Sequence, residues 1–174
     1  MKTSLKARAI ARLVLCIFTV NYLWAAPGSP GPMKPDQVNT AGWDKAWTNL
    51  VNDVEQTFVP STSRLLAVEV ELVLANPGDR VDKLTLAILD ASGQTVASVK
   101  RIVSVTDFAQ TTFIIPGGIE VNPGQTYSIK LSGGVTFGWK YVVGGYPKGA
   151  ALFNGKPLLQ GARSTLLFRT FGPP

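Results

Sequence analysis

With 174 residues, one cysteine and no histidine, the chain has length for one domain and a tail. It lacks the side chains for a Ser-His-Asp triad or an ordinary zinc site, and one cysteine alone cannot close a disulfide. Of its 17 Lys and Arg, four (Lys2, Lys6, Arg8 and Arg12) stand at the very start, and none of its 11 acids does, so the formal charge of +6 falls to about +2 without that segment. The remaining bases are scattered, which excludes the clustered footprint of a nucleic-acid partner.

The basic start leads into an apolar run over residues 13–20 and then to Ala25 and Ala26. That order describes a secretory signal peptide, predicted over residues 1–26 with the cut near Ala25 or Ala26, although Leu23 and Trp24 stand where a small residue is usual. The run is too short for a comfortable membrane span, so no stable insertion is expected after cleavage. Cys16 follows Leu13-Val14-Leu15 and lacks the small residue that precedes a lipidated cysteine. The predicted destination is secreted, extracellular or at the cell surface. The mature chain would then hold neither Cys nor His, and its stability must come from a core.

Residues 27–53 read as a linker and an N-terminal strap. Pro and Gly crowd residues 27–35 and deny them helix and ladder bonds. Beyond, Trp43, Trp47, Leu50 and Val51 recur at helix-like spacing. A short helical turn and an irregular strap plugging one end of the domain with its tryptophans both fit, and in either case Trp43 and Trp47 are packing residues.

From residue 54 the pattern is β. Gln56-Thr57-Phe58-Val59-Pro60 closes a short strand. The longest follows, with Leu66, Val68, Val70, Leu72 and Leu74 on one face and Ala67, Glu69, Glu71 and Val73 on the other, a period of two that predicts one buried and one wet side. Leu84, Leu86 and Ile88 alternate with Thr85, Ala87 and Leu89 in a strand expected to be central. Asp90-Ala91-Ser92-Gly93 turns it into a hairpin with residues 95–103. Residues 111–115 form a strand stopped by Pro116-Gly117-Gly118. Tyr127, Ile129 and Leu131 alternate in another. Residues 135–143, 150–153 and 164–171 complete the set. Short strands punctuated by Gly and Pro predict an all-β, antiparallel β-sandwich of jelly-roll type over residues 54–172.

Three stretches carry a resemblance: Gln56-Thr57-Phe58-Val59-Pro60 before the long strand, Val121-Asn122-Pro123-Gly124-Gln125-Thr126-Tyr127-Ser128-Ile129, and Leu166-Leu167-Phe168-Arg169-Thr170-Phe171-Gly172. Together they resemble the jelly-roll, carbohydrate-binding-module-like β-sandwich domains of secreted bacterial proteins, which often accompany glycosidases or surface anchors. The motifs are structural, each a hydrophobic strand beside a turn. The resemblance implies the fold and points to a carbohydrate ligand.

The candidate ligand site lies in Phe137-Gly138-Trp139-Lys140-Tyr141, with Tyr146 and Phe153 after a glycine corner. Trp139 and Tyr141 share a strand face; flat aromatic rings there would stack on sugar rings, and nearby glycines admit a close approach. Phe137 shares the same face, so three bulky residues in register equally describe core. The expected contacts, if a platform forms, are Trp139, Tyr141 and Tyr146. Asp79, Asp82 and Asp90 lie around turns and offer oxygen to a structural calcium ion; the same positions suit Asp as a backbone hydrogen-bonding residue. No other cofactor is expected. Glu69 and Glu71 sit side by side on the wet face and not across a cleft, which suits a solvated strand better than glycoside hydrolysis. The function expected is a secreted, non-catalytic module for a polysaccharide or cell-surface polymer. A structural or protein-interaction domain competes with it, and a small hydrolase rests on the acids alone.

Overall fold

The computed structural model describes residues 31–40, 42–43, 46–106, 108–160 and 162–174. The signal peptide expected over residues 1–26, with Cys16, lies outside the described residues. Thirteen strands and no helix occur among those described. Seven form one antiparallel sheet: β1 (Lys34–Asn39), β2 (Ala46–Asn49), β4 (Arg64–Leu74), β7 (Gln110–Glu120), β9 (Phe137–Val143), β12 (Ser164–Leu166) and β13 (Phe168–Gly172). Six form the other: β3 (Val54–Phe58), β5 (Val81–Leu89), β6 (Thr95–Ser104), β8 (Tyr127–Ser132), β10 (Ala151–Phe153) and β11 (Lys156–Pro157). From β3 onward the chain changes sheet at most connections, and the two layers close over one apolar core. The protein is an all-β antiparallel sandwich.

The core follows from alternation. Val68, Val70 and Leu72 of β4 face Leu84, Leu86 and Ile88 of β5 and Ile129 and Leu131 of β8, all essentially sealed from solvent. Fully burying such a side chain contributes about 1.5–3 kcal/mol. Phe58 joins Tyr127 and Phe168 at ring separations of 6.1 and 6.3 Å, and Tyr146 meets Phe168 edge-on at 5.3 Å. β5 is central, between β8 and β6, as its apolar run predicts. Asp90 closes the β5–β6 hairpin by accepting hydrogen bonds from Ser92 N, Ser92 Oγ and Gln94 N.

Three departures from the sequence reading shape the seven-stranded sheet. The strap is not helical in its described parts and is only partly irregular: β1 pairs with β13, and β2 pairs with β9, while residues 42–43 and 50–53 lie outside the strands. Helix-like Trp spacing loses to open sheet edges whose backbone groups need partners. Pro35 is tolerated because β1 lies at an edge. Second, β7 does not stop at Pro116 but continues to Glu120, crossing a register shift opposite Leu65 and Ala67. Gly117 and Gly118 adopt positive φ there, 73° and 68°. The irregularity moves burial one residue along β4, so Leu65 is sealed and Leu66 only half-buried. Third, the closing segment divides at Leu167. Its N–H donates to Lys140 O and its carbonyl accepts from Glu71 N. The chain thus passes from pairing with β9 to pairing with β4.

The corner over residues 144–149 is clamped. Arg163 Nε and Nη2 donate to Gly149 O at 3.0 and 2.8 Å, and Nη2 also reaches Pro147 O. A Cβ on Gly149 would stand 1.8 Å from Thr57 O and 2.8 Å from Thr57 C. Backbone cannot yield as a flexible side chain can. Gly149→Ala is therefore expected to lower stability by about 1–3 kcal/mol, read as an earlier midpoint in urea unfolding.

Candidate functional site

Alternation along β9 decides the fate of its aromatics. Phe137 and Trp139 point inward and are 0 % exposed. Trp139 Nε1 donates to Leu167 O at 2.8 Å, which satisfies the one polar atom of a ring in the core. Phe137 stacks on Phe108 at 5.4 Å. Tyr141 follows on the same side, half-buried against the core. Tyr146 is buried as well; its hydroxyl donates to Gln37 Oε1 at 2.8 Å and accepts from Val59 N at 3.2 Å. The platform of Trp139, Tyr141 and Tyr146 expected from sequence is therefore corrected: a ring sealed inside a sandwich cannot stack on a sugar. Of the three, only Tyr141 keeps appreciable solvent contact.

Burial raises the pKa of Tyr146, the Val59 N–H opposes the shift, and the Asp36 carboxylate adds to it. The neutral phenol is the form the fold needs, as donor to Gln37. The stability linked to this proton is full below the ordinary tyrosine pKa and is lost as pH rises from there through the raised value. Tyr146→Phe should flatten the alkaline limb of a stability–pH profile.

Asp79, Asp82 and Asp90 do not converge. Asp79 accepts from Asn76 Nδ2 within its own turn. Asp82 accepts from Gly134 N through both carboxylate oxygens, at 3.0 and 2.9 Å, and from Lys83 N at 2.8 Å. Asp90 serves the β5–β6 turn, where the Ser92 hydroxyl, then the Gln94 N–H, hold its carboxyl below the ordinary Asp value. Among the described residues no group of three or more His, Cys, Asp or Glu is placed to hold a metal ion. Asp82→Ala should cost about 1–2 kcal/mol through the lost Gly134 and Lys83 bonds, with a melting temperature indifferent to chelator in both proteins.

Among the described residues, the tryptophans on the surface are the two that sequence reading assigned to packing. Trp43 and Trp47 are 39 % and 41 % exposed. β2 lies in register with β9, Trp47 opposite Lys140 and Asn49 opposite Gly138, so Trp47 falls on the outer side of the sheet. Gly138 makes room for it: a Cβ there would stand 2.4 Å from Trp47 Cε3. Trp43 Nε1 donates to Ala46 O at 2.8 Å. Lys140 Nζ stands 4.5 Å from the Trp43 ring centroid, a cation–π contact, and 3.7 Å from Glu71 Oε2.

The same outer face carries a second charged pair. Val38, Arg169, Glu69 and Thr112 stand opposite one another across β1, β13, β4 and β7. Arg169 Nη1 meets Glu69 Oε1 at 2.5 Å, and Thr112 Oγ1 donates to Glu69 Oε2 at 3.3 Å. Glu69 and Glu71 are thus not bare solvated carboxylates. Each is mostly covered, at 13 % and 14 % side-chain exposure, and each has its own cation. Leu167, on this side by alternation, is fully buried, so neighbouring side chains roof the fork.

A polar depression on the outside of the six-stranded sheet, lined by Glu55, Thr57, Ser128, Lys130 and Asp90 among others, contains no aromatic ring. No protein-family model matches the chain, and no curated protein matches it.

Proposed function

We propose that this is a secreted, non-catalytic binding module for a polysaccharide or another cell-surface polymer, and that it binds through the outer face of the seven-stranded sheet at Trp43 and Trp47. The observation that carries the reading is the placement of these two indoles. Both are exposed; Trp43 is fixed by a hydrogen bond to Ala46 O and by a cation–π contact with Lys140, and Trp47 is seated beside Gly138, which clears the strand surface for it. Exposed, pre-positioned aromatic rings bind with little ordering cost. The resemblance of residues 54–172 to carbohydrate-binding-module-like sandwiches supports the same ligand class, and the basic, apolar start of the chain supports export.

Tryptophan fluorescence tests the reading. In the mature domain, cut after Trp24, Trp139 is sealed in the core, so quenching or a blue shift on adding a glycan reports Trp43 and Trp47. Trp47→Ala and Trp43→Ala should each weaken binding about tenfold or more, roughly 1.4 kcal/mol, while the unfolding midpoint moves little. A glycan array that leaves the emission of the mature domain untouched would remove the proposal.

A second reading, a protein-interaction domain, is favoured by Val81 and Ile102. They are diagonal neighbours across β5 and β6, and Ile102 is 68 % exposed. If that face pairs with protein, sedimentation should show size rising with concentration, and Ile102→Ser should abolish the rise.

A further inference from the structure

The ligand class can be narrowed from the charges of the tryptophan face; this rests on the binding reading above. By the β9–β4 register, in which Trp139 faces Leu72 and Gly138 faces Val73, Lys140 falls in line with Glu71. Glu71 in turn stands opposite Gln110 on β7, and Trp47 opposite Lys140. One row therefore crosses the outer face: Trp47, Lys140, Glu71, Gln110, with the Leu167 fork between the middle two. At the usual strand spacing this row extends on the order of 19 Å, room for a short run of sugar rings lying across the strands.

The row and its neighbour carry two cations and two anions, and every one is committed. Lys140 is shared between Glu71 and the Trp43 ring. Arg169 is held by Glu69. These groups are largely covered, with side-chain exposures of 17 % and 14 % for the first pair and 29 % and 13 % for the second. A charged polymer would have to break a mostly desolvated pair and would leave the released partner uncompensated, which is costly. An acidic polymer would also meet Glu69 and Glu71, and a basic one Arg169 and Lys140. An uncharged chain meets none of these penalties. It can use the pairs as they stand, because a paired carboxylate or ammonium still has hydrogen-bonding capacity to spare for hydroxyl groups.

We propose that the face from β2 to β7 takes a neutral glycan laid across the strands, with Trp47 and Trp43 against the apolar faces of its rings and Lys140, Glu71 and Gln110 bonding its hydroxyls. Lys140 positions Trp43 as well as bonding ligand.

The test is affinity electrophoresis of the full-length mature domain in gels containing neutral polymers (hydroxyethyl cellulose, glucomannan, xylan, laminarin, glycol chitin) or acidic ones (alginate, polygalacturonate, hyaluronate), at low and at high salt. The expected result is retardation by at least one neutral polymer, unchanged by salt. Trp47→Ala should reduce the retardation about tenfold. Lys140→Met should reduce it several-fold and shift the Trp43 emission. Gly138→Ala, which crowds Trp47, serves as a second variant should Trp47→Ala fold poorly, and near-ultraviolet circular dichroism of Trp139 reports folding in each. Salt-sensitive retardation by acidic polymers alone would overturn the neutral-ligand inference and leave the binding reading intact. Neutral binding indifferent to both the Trp47 and Gly138 variants would place the site elsewhere and overturn the inference. Retardation by no polymer would overturn both.

Discussion

Trp139→Ala is expected to lower the stability of the domain by about 3–5 kcal/mol, a large part of the 5–15 kcal/mol typical of a domain. The ring is fully buried at the centre of β9, opposite Leu72 and Thr48. Its removal leaves a cavity between layers whose backbones are fixed by ladders on either side. It also takes the Nε1 donor from Leu167 O, which keeps only Glu71 N at 3.2 Å. Trp139→Phe retains most of the volume and should cost about 1–2 kcal/mol. Urea unfolding followed by far-ultraviolet circular dichroism measures both. An unchanged midpoint in Trp139→Ala, with a soluble quencher reaching Trp139 when Trp43 and Trp47 are phenylalanine, would return the ring to the surface.

Gln56 should be nearly as sensitive. It is a fully buried amide on β3 that reaches across to the other layer, where Oε1 accepts from Leu166 N at 2.6 Å while Nε2 donates to Thr57 O at 2.8 Å. Gln56→Leu fills the space but orphans a buried donor and a buried acceptor, for about 2–4 kcal/mol. Gln56→Glu separates the two roles. A carboxylate still accepts from Leu166 but repels Thr57 O; its protonated form can donate. The folded-state pKa of that Glu would be raised, so the variant should be most stable at low pH and lose stability as pH rises through that value. A pH-independent deficit would show that the amide only fills volume.

Strands β4, β5 and β8 were legible in the sequence because alternation is local: Val68-Glu69-Val70-Glu71-Leu72 states its own two faces. The Asp90 turn was legible for the same reason, since its acceptor and donors lie within five residues. The outer edge strands were not. Nothing within residues 46–49 says that β9 will offer a free edge, and the helix-like repeat of Trp43 and Trp47 is an accident of two separate placements. The site inverted for a related reason. Trp139 and Trp47 are similar rings beside small residues, and which faces water depends on the register of β2 against β9. The cations that neutralise Glu69 and Glu71 come from β13 and β9. One local clue did exist. Gly138 between two bulky residues signalled a close approach, and the approaching group proved to be Trp47.

The pairing of β4 with the closing segment has a consequence for how the chain reaches this shape. Glu69 and Arg169 lie 100 positions apart, and Gln37 N reaches Thr170 Oγ1 over 133. Loop closure on that scale precedes any reward from the contacts, so assembly is slow, on the order of milliseconds to seconds. One flank of β4 stays open until β13 has left the ribosome. During synthesis the polypeptide therefore lacks its finished barrier to unfolding until the closing segment docks.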